Sequence, residues 1–507
     1  MSIFSAVFQK CDSSRILIIH TTLTKSHLLP LQVLARALAE ERNHEITFLS
    51  AFPMWKNITN LREFAIPYDE HDRDYIYEIS ANPENQGFLS IISQISKICS
   101  KIGNNTLQMT EMKNLMKNEK YDLLILGYYT NEYMLGLGDH FKCPTVMLSL
   151  YNMIASLHRI TGNPFDLAAS NHFMIQGVKL DFRGRLKNLW IYGFDYFILK
   201  NMFEYYGKEV YRYNFPASQY RSYSESLKNV SLLMLNSHFS TSGPRPLLPN
   251  IIEVGGLQVK SKPSPLPKDI KDFLDNSKDG AILFSLGSKV DISHFSNQTM
   301  KIIFNVFSKL EQRVIMKWGS SKLKNKPDNV FTSSWLPQDD ILAHSNIRLF
   351  ISHCGIGSVV ESKYHGVPII ANPLLGDQFG NAMKVENEGW GKVVNLKFIN
   401  EEELMNMIME VLSNPSYTSK VKRLSALQKD RPQDAKSLAI YWIEYVIRHN
   451  GASHLHYPGA DLNILQSNSL DVIGFLLVCC YLMYKIISKA AKRILKLRLF
   501  FMKSKVE

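Results

Sequence analysis

The sequence predicts an α/β protein built from two parallel-stranded domains. Residues 15–20 form an apolar run, a helix-type segment follows over 30–41, and a second apolar run covers 45–50, which is the order of a β-α-β unit. Another series of short apolar runs begins at residue 281. Residues 242–267 lie between the two series and are rich in proline and glycine, as expected of an interdomain connection. The 507 residues, 45% of them hydrophobic, are enough for two cores.

The remaining elements extend these two sheets. In the first half, strands are predicted over 121–126 and 145–150, and right-handed crossovers place them in the parallel sheet of the opening unit. Residues 152–223 are rich in aromatic side chains and long helices, and we expect most of these aromatics to pack in the core rather than line a pocket or contact a membrane. Strands of the second half are predicted over 281–286, 314–317, 348–352 and 368–372.

The C-terminal region predicts a single membrane anchor. Residues 470–487 are apolar apart from Asp471 and Lys485, and they are long enough to cross a bilayer. A buried core helix is the alternative, but Lys and Arg flank the run on one side only, which predicts a cytosolic tail and a luminal body. Lys503 and Lys505 resemble a dilysine signal for retrieval to the endoplasmic reticulum. The predicted organisation is 1–241 for the first domain, 242–267 for the linker, 268–455 for the second domain, 456–469 for a juxtamembrane segment, 470–487 for the transmembrane helix and 488–507 for a basic tail.

The charge distribution argues against a nucleic-acid partner. The net charge of +12 is concentrated near the C-terminus, so the body of the chain is only mildly basic. The basic residues of that segment are Lys485, Lys489, Lys492, Arg493, Lys496, Arg498, Lys503 and Lys505.

Other features bear on a luminal location. Glycosylation sequons begin at Asn57, Asn104, Asn229 and Asn297. The apolar run within residues 1–14 is too short for a secretory leader, which leaves truncation, alternative splicing, or targeting by the first strand and the anchor as alternatives. The six cysteines are widely spaced or lie in the anchor, so we predict neither a disulfide scaffold nor a metal site.

The most informative stretch is residues 335–381. An apolar strand over 350–352 leads through the small-residue turn 353–357 into a helix. Such a turn directs free backbone N–H groups at an anion, and the helix dipole adds partial positive charge, which suits a diphosphate. Gly355 lets the phosphates approach the backbone, and His353 can add a donor.

Side chains around this turn match the rest of a sugar nucleotide. Trp335 offers a flat face for uracil, and the Gln338 amide can pair with base or ribose. Glu361 lies one turn into the helix, where a carboxylate can accept hydrogen bonds from ribose hydroxyls. Asp377 and Gln378 carry acceptors and donors that match hexose hydroxyls. Each element alone is as well explained by ordinary core or turn structure, whereas their combination in this order is specific.

The combination resembles the signature of the UDP-glycosyltransferases, an inverting family with two Rossmann-like domains facing a cleft (GT-B type). The closest likeness is to its membrane-bound animal branch, and to arthropod members in particular. The resemblance implies that Trp335 and Gln338 contact uracil and that Glu361 contacts the ribose. The diphosphate is then contacted by His353, Ser358 and Ser288, and the sugar by Asp377 and Gln378. Cys354 and Gly357 depart from the commonest residues of the signature without removing a charge or a donor.

The catalytic base is expected in the first half. Transfer to a hydroxyl needs a base near neutral pH, and His27 follows the first strand in a loop at the carboxyl edge of the sheet. Ser26 and His27 resemble the family's opening motif, whose histidine is the base. The family usually supports that histidine with an aspartate at a position where this chain has Gly127. Three explanations are open: an acidic acceptor makes the partner unnecessary, another carboxylate such as Glu132 or Asp139 substitutes, or catalysis has been lost.

The resemblance implies transfer of a hexose from a UDP-sugar to a hydroxyl of a small lipophilic acceptor, as in detoxification. Glucose is favoured over glucuronic acid. No metal is expected, because backbone dipoles and side chains can carry the leaving group's charge, and no cofactor is expected, because the UDP-sugar is a co-substrate. The alternatives are a UDP-glucuronosyltransferase and a UDP-sugar-binding protein with reduced or lost catalysis. A lipid-linked sugar transferase of bacterial cell-wall type is disfavoured by the single anchor. The acceptor and the oligomeric state, including a homo-oligomer, are left open by the sequence.

Overall fold

A computed structural model describes residues 13–53, 57–81, 87–150, 152–287, 295–319 and 326–503. The chain divides into two compact units, Met1–His456 and Tyr457–Glu507. The first unit contains two parallel sheets, of seven and six strands.

The first sheet has the strand order β3-β2-β1-β4-β5-β6-β7, and its neighbouring strands are all parallel. Its central strands are covered on both faces, so they are apolar almost throughout. The two opening strands have the predicted bounds, and the third predicted strand begins two residues later than expected. The strands are Arg15–His20 (β1), Glu45–Ser50 (β2), Leu61–Ala65 (β3), Leu123–Tyr128 (β4), Thr145–Ser149 (β5), Val230–Leu235 (β6) and Ile251–Glu253 (β7).

Helices surround this sheet. They are Lys25–Glu40 (α1), Glu70–Ala81 (α2), Phe88–Gln108 (α3), Thr110–Asn118 (α4), Gly136–Phe141 (α5), Ala155–Thr161 (α6), Phe182–Phe194 (α7), Lys200–Asn214 (α8), Tyr223–Ser226 (α9) and Phe239–Ser242 (α10). The first helix begins five residues before the predicted start at Pro30. Leu28, Leu31 and Leu34 are all buried, so the helical spacing of apolar residues extends upstream of the proline. His27 therefore lies in the first turn of α1 and not in a loop.

The aromatic residues of the region 152–223 do not pack mainly in the core, contrary to expectation. Among those the structure describes, only Tyr192, Tyr211, Phe215 and Tyr223 are buried. The reason is geometric: the helices that carry most of these aromatics pack against other helices, and such a helix buries only one of its faces.

The second sheet has the order β10-β9-β8-β11-β12-β13 and is also parallel. Its strands are Ala281–Ser285 (β8), Arg313–Lys317 (β9), Val330–Ser333 (β10), Ile347–Ser352 (β11), Ile369–Ala371 (β12) and Gly391–Val393 (β13). Its helices are Lys268–Asp275 (α11), Asn297–Ser308 (α12), Gln338–Leu342 (α13), Ile356–His365 (α14), Asp377–Asn387 (α15), Glu401–Ser413 (α16) and Pro415–Lys429 (α17). The chain then forms Ala435–Arg448 (α18).

The chain crosses between the two sheets twice. Strand β7 lies within the stretch 242–267 that the sequence assigns to the connection, so the first sheet extends into that stretch. Helix α18 returns to the first sheet, where Ala439 and Ile443 join the core that contains Leu34 of α1. The guanidinium of Arg42 binds both carboxylate oxygens of the buried Glu444, at 2.5 and 2.7 Å. This return fixes the end of the second domain to the first.

The second unit contains Ile464–Ser467 (α19) and Leu470–Lys503 (α20). Within α20, Leu470–Lys496 is long and apolar enough to cross a membrane, with a mean hydropathy of 2.0. The predicted anchor over 470–487 lies inside this helix.

Candidate active site

His27 lies at the carboxyl edge of the first sheet. Helix α1 follows β1 after a short turn, and the His27 backbone N–H donates to the carbonyl of Thr24 at 3.1 Å. The half-buried imidazole lies 5.2 Å, centre to centre, from the ring of Tyr129, just after β4. The loops after two adjacent strands therefore meet at this histidine, as expected for a ligand site in an open parallel sheet.

Gly127 is closely packed against a second histidine. The register that pairs Ile19 with Leu126 brings His20 beside Gly127, and His20 Nδ1 donates to the Gly127 carbonyl at 3.0 Å. A Cβ atom at position 127 would lie 2.4 Å from His20 Nδ1 and 2.3 Å from a methyl of Leu31. The same carbonyl accepts a bond from the Asn131 amide at 2.9 Å. The space that a side chain at position 127 would need is therefore filled by the His20 ring and the Leu31 side chain.

The His20 ring is neutral at physiological pH. Burial lowers its pKa to about 4, and the backbone carbonyls of Gly127 and His27 offset this only in part. The ring thus fills space between the end of β4 and the start of α1 without supplying a charge.

The three carboxylates near β4 in sequence are engaged elsewhere. Asp122 accepts from the backbone N–H of Arg15 at 2.7 Å, at the opposite end of the strand. Glu132 is buried and accepts from the Tyr128 hydroxyl at 2.9 Å, and burial raises its pKa. Asp139 accepts from Ser226 at 3.2 Å. Each of the three carboxylates is therefore held by a partner other than His27.

In the second sheet, the turn after β11 is built around the ring of His353. Cys354 adopts a left-handed backbone with φ of 58°, held by its N–H bond to the Ser352 hydroxyl at 3.1 Å. A Cβ atom at Gly287 or at Gly355 would approach the His353 ring to 2.6 Å. Glycine is therefore required at both positions, on either side of the ring. Gly355 precedes α14, whose first turn has no side-chain cap, so its N–H groups are available to an anion.

Gln338, Ser358 and Glu361 form one hydrogen-bonded group. The Gln338 amide nitrogen donates to the Ser358 hydroxyl at 3.1 Å and to a Glu361 carboxylate oxygen at 2.6 Å. Ser358 and Glu361 lie on successive turns of α14 and are largely buried. Burial raises the pKa of Glu361 to about 8, helped by the nearby negative charge of Asp339. The sequence predicted all three residues for one ligand, and the structure places them together.

Helix α15 presents Asp377 and Gln378 at its first turn. The Gln378 side-chain oxygen accepts from the backbone N–H groups of Leu374 and Leu375, at 2.8 and 3.1 Å. These two bonds fix the orientation of the Gln378 amide, including its N–H groups. Asn381, which the sequence did not single out, donates to Asp377 at 2.8 Å and to the Cys354 carbonyl at 3.0 Å. Asn381 therefore joins α15 to the turn after β11. Its position one helical turn after Asp377 was the available sequence signal.

Trp335 faces the first sheet across the cleft. Its side chain is half exposed, and the Lys25 ammonium lies 5.7 Å from the centre of its ring. Lys25 is two residues from His27, so the predicted base and the predicted uracil platform border the same cleft. Ser288 lies outside the described residues.

Within the described residues, the cysteines and the possible metal-ligating side chains form no second site. Cys143 and Cys354 are buried free thiols, and Cys99 is also buried. In that same part of the chain, no group of three or more His, Cys, Asp or Glu side chains is placed to hold a metal ion.

The two facing sheets form the GT-B fold of glycosyltransferases. The structure of a UDP-glucosyltransferase from Polygonum tinctorium aligns with a TM-score of 0.56 and 17% sequence identity, and the alignment covers 86% of this chain and 99% of that one. The structure of the glycosyltransferase VinC has the same TM-score at 15% identity, covering 86% of this chain and all of the other.

Sequence comparison identifies the family. The family model "UDP-glucoronosyl and UDP-glucosyl transferase" matches residues 15–505. UDP-glucosyltransferase 2 of Dactylopius coccus is 32% identical over 495 residues, which cover 94% of this chain and 92% of that protein. The 2-hydroxyacylsphingosine 1-beta-galactosyltransferase of Rattus norvegicus is 29% identical, covering 95% of this chain and 88% of the relative. The chain therefore belongs to the UDP-glycosyltransferase family.

Proposed function

We propose that the chain transfers glucose from UDP-glucose to a hydroxyl group of a small lipophilic acceptor, with inversion at the anomeric carbon. The observation that carries this proposal is the turn after β11, where the uncapped start of α14, the enclosed His353 ring and the Gln338–Ser358–Glu361 group lie together. A diphosphate fits the helix start and a ribose fits the carboxylate. The likeness to a UDP-glucosyltransferase favours glucose over glucuronic acid as the transferred sugar.

The proposed chemistry is one direct displacement. The acceptor oxygen forms a bond to the anomeric carbon while the bond from that carbon to the diphosphate breaks. His27 takes the proton of the acceptor hydroxyl, and UDP leaves with the electron pair. The N–H groups of α14, with His353 and Ser358, stabilise the charge that develops on the leaving group, so the step requires neither a metal nor a cofactor. Trp335 stacks on uracil, and Asp377 and Gln378 orient the hexose.

We place this reaction on a membrane, with the body of the chain in the lumen of the endoplasmic reticulum and the basic tail in the cytosol. The apolar part of α20 supports anchoring, and the Lys and Arg residues on its C-terminal side support the orientation. Protease protection in sealed microsomes tests this placement, because a luminal body resists added protease until detergent opens the vesicle.

A second candidate function is UDP-sugar binding without turnover. The packing of His20 against Gly127 favours it, because a carboxylate side chain at position 127 would collide with the His20 ring. The presence of His27 at the carboxyl edge of the first sheet favours the transferase.

The test is UDP release by membranes that contain the full-length chain. UDP-glucose and UDP-glucuronic acid are compared over a panel of phenols and aliphatic lipophilic alcohols, and UDP-sugar binding is measured in parallel. We expect acceptor-dependent release that is faster with UDP-glucose. Binding of UDP-glucose without release on any acceptor supports the second function, and preference for UDP-glucuronic acid contradicts the proposed donor.

A further inference from the structure

The connection between the two domains begins on a buried asparagine of the first sheet. Asn236 directly follows β6, and its backbone N–H donates to the Ser149 carbonyl at the end of β5 at 2.8 Å. Its side-chain oxygen accepts from the backbone N–H groups of Gly256 and Leu257, at 3.0 and 3.3 Å. The start of the connection is therefore fixed to the carboxyl edge of the first sheet, the edge that also carries His27.

The same connection is bound to the second domain. The backbone N–H groups of Lys260 and Ser264 donate to the carboxylates of Asp339 and Asp340, at 2.9 and 2.6 Å respectively. The Lys260 ammonium also contacts Asp340, at 2.6 Å. Both aspartates lie in the first turn of α13, directly after Gln338 of the predicted donor site. The connection therefore bridges the first sheet and the helix that begins with Gln338.

Between these two attachments, Gln258 faces the start of α14. Its side-chain oxygen accepts from the Asn236 amide nitrogen at 3.1 Å, so its own amide nitrogen is directed away from Asn236. That nitrogen would lie 3.8 Å from a Cβ atom at Gly357. Glu361 is four residues after Gly357 and therefore lies on the same face of the helix. Gln258 thus occupies the side of α14 that carries the predicted ribose carboxylate.

Two glutamine amides act on the Glu361 carboxylate. Burial raises the Glu361 pKa, and the negative charge of Asp339 adds to the rise. Hydrogen bonds from Gln338 and Gln258 lower the same pKa, as does the positive charge of Lys260. A hydrogen-bond donor beside a carboxylate favours the ionised form, which is the form that accepts from ribose hydroxyls. The two amides therefore prepare Glu361 for the ribose.

We propose that Gln258 is a positioning residue for the ribose carboxylate and that Asn236 orients it. The inference rests on the proposed function, because that function assigns Glu361 to the ribose of the UDP-sugar. Asn236 belongs to the first sheet and Glu361 to the second domain. Donor affinity is therefore set in part by a residue of the domain to which His27 belongs.

Gln258→Leu tests the contact, because leucine has a similar size and no amide. UDP affinity of the full-length chain is measured by calorimetry from pH 7 to pH 9. We expect roughly tenfold weaker binding at pH 7, as for loss of one hydrogen bond to a charged group. Removal of the amide raises the Glu361 pKa further, so the loss should shrink as rising pH ionises the carboxyl group in both proteins. The KM for the UDP-sugar should rise more than kcat falls.

Gln428→Leu is the matched control. The Gln428 amide nitrogen lies 3.7 Å from the position of a Cβ atom at Gly256, at the start of the same connection. This variant therefore changes the packing around the connection in the same chemical way. Its UDP affinity should follow the wild-type pH profile.

Two double variants separate positioning from a general effect on packing. In Glu361→Gln, the addition of Gln258→Leu should change UDP affinity little at any pH, because the carboxylate is gone. Asn236→Asp keeps an oxygen that accepts from the connection and removes the amide donor to Gln258. It should weaken UDP binding in the wild-type background and add nothing in the Gln258→Leu background.

The outcomes distinguish this inference from the proposed function. If wild type binds UDP and Gln258→Leu binds it equally at every pH, the inference is overturned and the proposed function stands. An equal loss in the Glu361→Gln background would also overturn it, and additive losses from Asn236→Asp and Gln258→Leu would overturn the role of Asn236. Absence of UDP binding by wild type would contradict the proposed function and this inference with it. Unchanged thermal melting of each variant shows that the fold is intact.

Discussion

The two halves of the cleft hold their functional groups in different ways. In the second half, the groups lie on a strand-to-helix turn and the helix after it, and Gln338 contacts both Ser358 and Glu361. In the first half, His27 lies at the start of α1. Near the end of the neighbouring strand β4, Gly127 packs against His20. The second half combines the backbone N–H groups of a turn with several side chains, whereas the predicted base of the first half is one imidazole whose setting depends on the residues packed around it. Substitutions in the two halves should therefore separate donor binding from turnover.

The largest expected effect is that of His27→Ala. Loss of the base should lower kcat by roughly 10²- to 10⁴-fold, because general-base catalysis typically contributes that much. The affinity for UDP should change little, since the predicted donor contacts lie in the other half. Steady-state UDP release and calorimetric UDP binding measure the two quantities. Retention of kcat in this variant would show that another group takes the proton.

Gly127→Asp tests whether the first half can accept the carboxylate it lacks. The new side chain meets the His20 ring, so we expect a loss of about 1–3 kcal/mol in the free energy of unfolding from overpacking alone. Removing the ring with His20→Ala should relieve the part of this loss that does not come from Leu31, so the double variant should be more stable than Gly127→Asp. Urea unfolding measures each effect.

The matched control is Gly127→Ala, which adds the Cβ without the charge. If Gly127→Asp and Gly127→Ala are both as stable as wild type, the packing argument fails. The double variant also bears on function: a kcat above that of His20→Ala would show that a carboxylate at position 127 still supports His27.

The central strands of both sheets were predictable because buried parallel strands are continuous apolar runs, such as Arg15–His20 and Glu45–Ser50, whereas the strands at the edges were not predicted. The donor turn was also predictable, because its residues are close in sequence. The contact between His20 and Gly127 was not, because it depends on the register of two strands that are about a hundred residues apart. The exposure of Trp190 could not be predicted either, because aromatic content alone does not indicate which face of a helix packs against the core.

In the second half, Trp335→Ala should weaken donor binding. Stacking of an aromatic ring on a base contributes roughly 1–3 kcal/mol, which corresponds to about 5- to 150-fold in the KM for the UDP-sugar. The value of kcat at saturating donor should fall less. Phe398→Ala is the control, because Phe398 is an exposed aromatic residue of the same domain with no predicted role in donor binding. Equal KM values for Trp335→Ala and wild type would exclude the stacking role.

The smallest expected effect is a pH dependence of UDP affinity set by Glu361. Its pKa is raised to about 8, so the carboxyl group is mostly protonated in the free protein at pH 7. Ribose hydroxyls donate to the ionised form, so UDP binding should lower this pKa and release a proton. Affinity should therefore rise as pH increases from 7 to 9, by up to about tenfold for each unit of pKa change. Glu361→Gln should bind UDP with a flatter pH profile. Calorimetry in two buffers of different ionisation enthalpy measures the released proton, and an unchanged profile in Glu361→Gln would assign the pH dependence to another group.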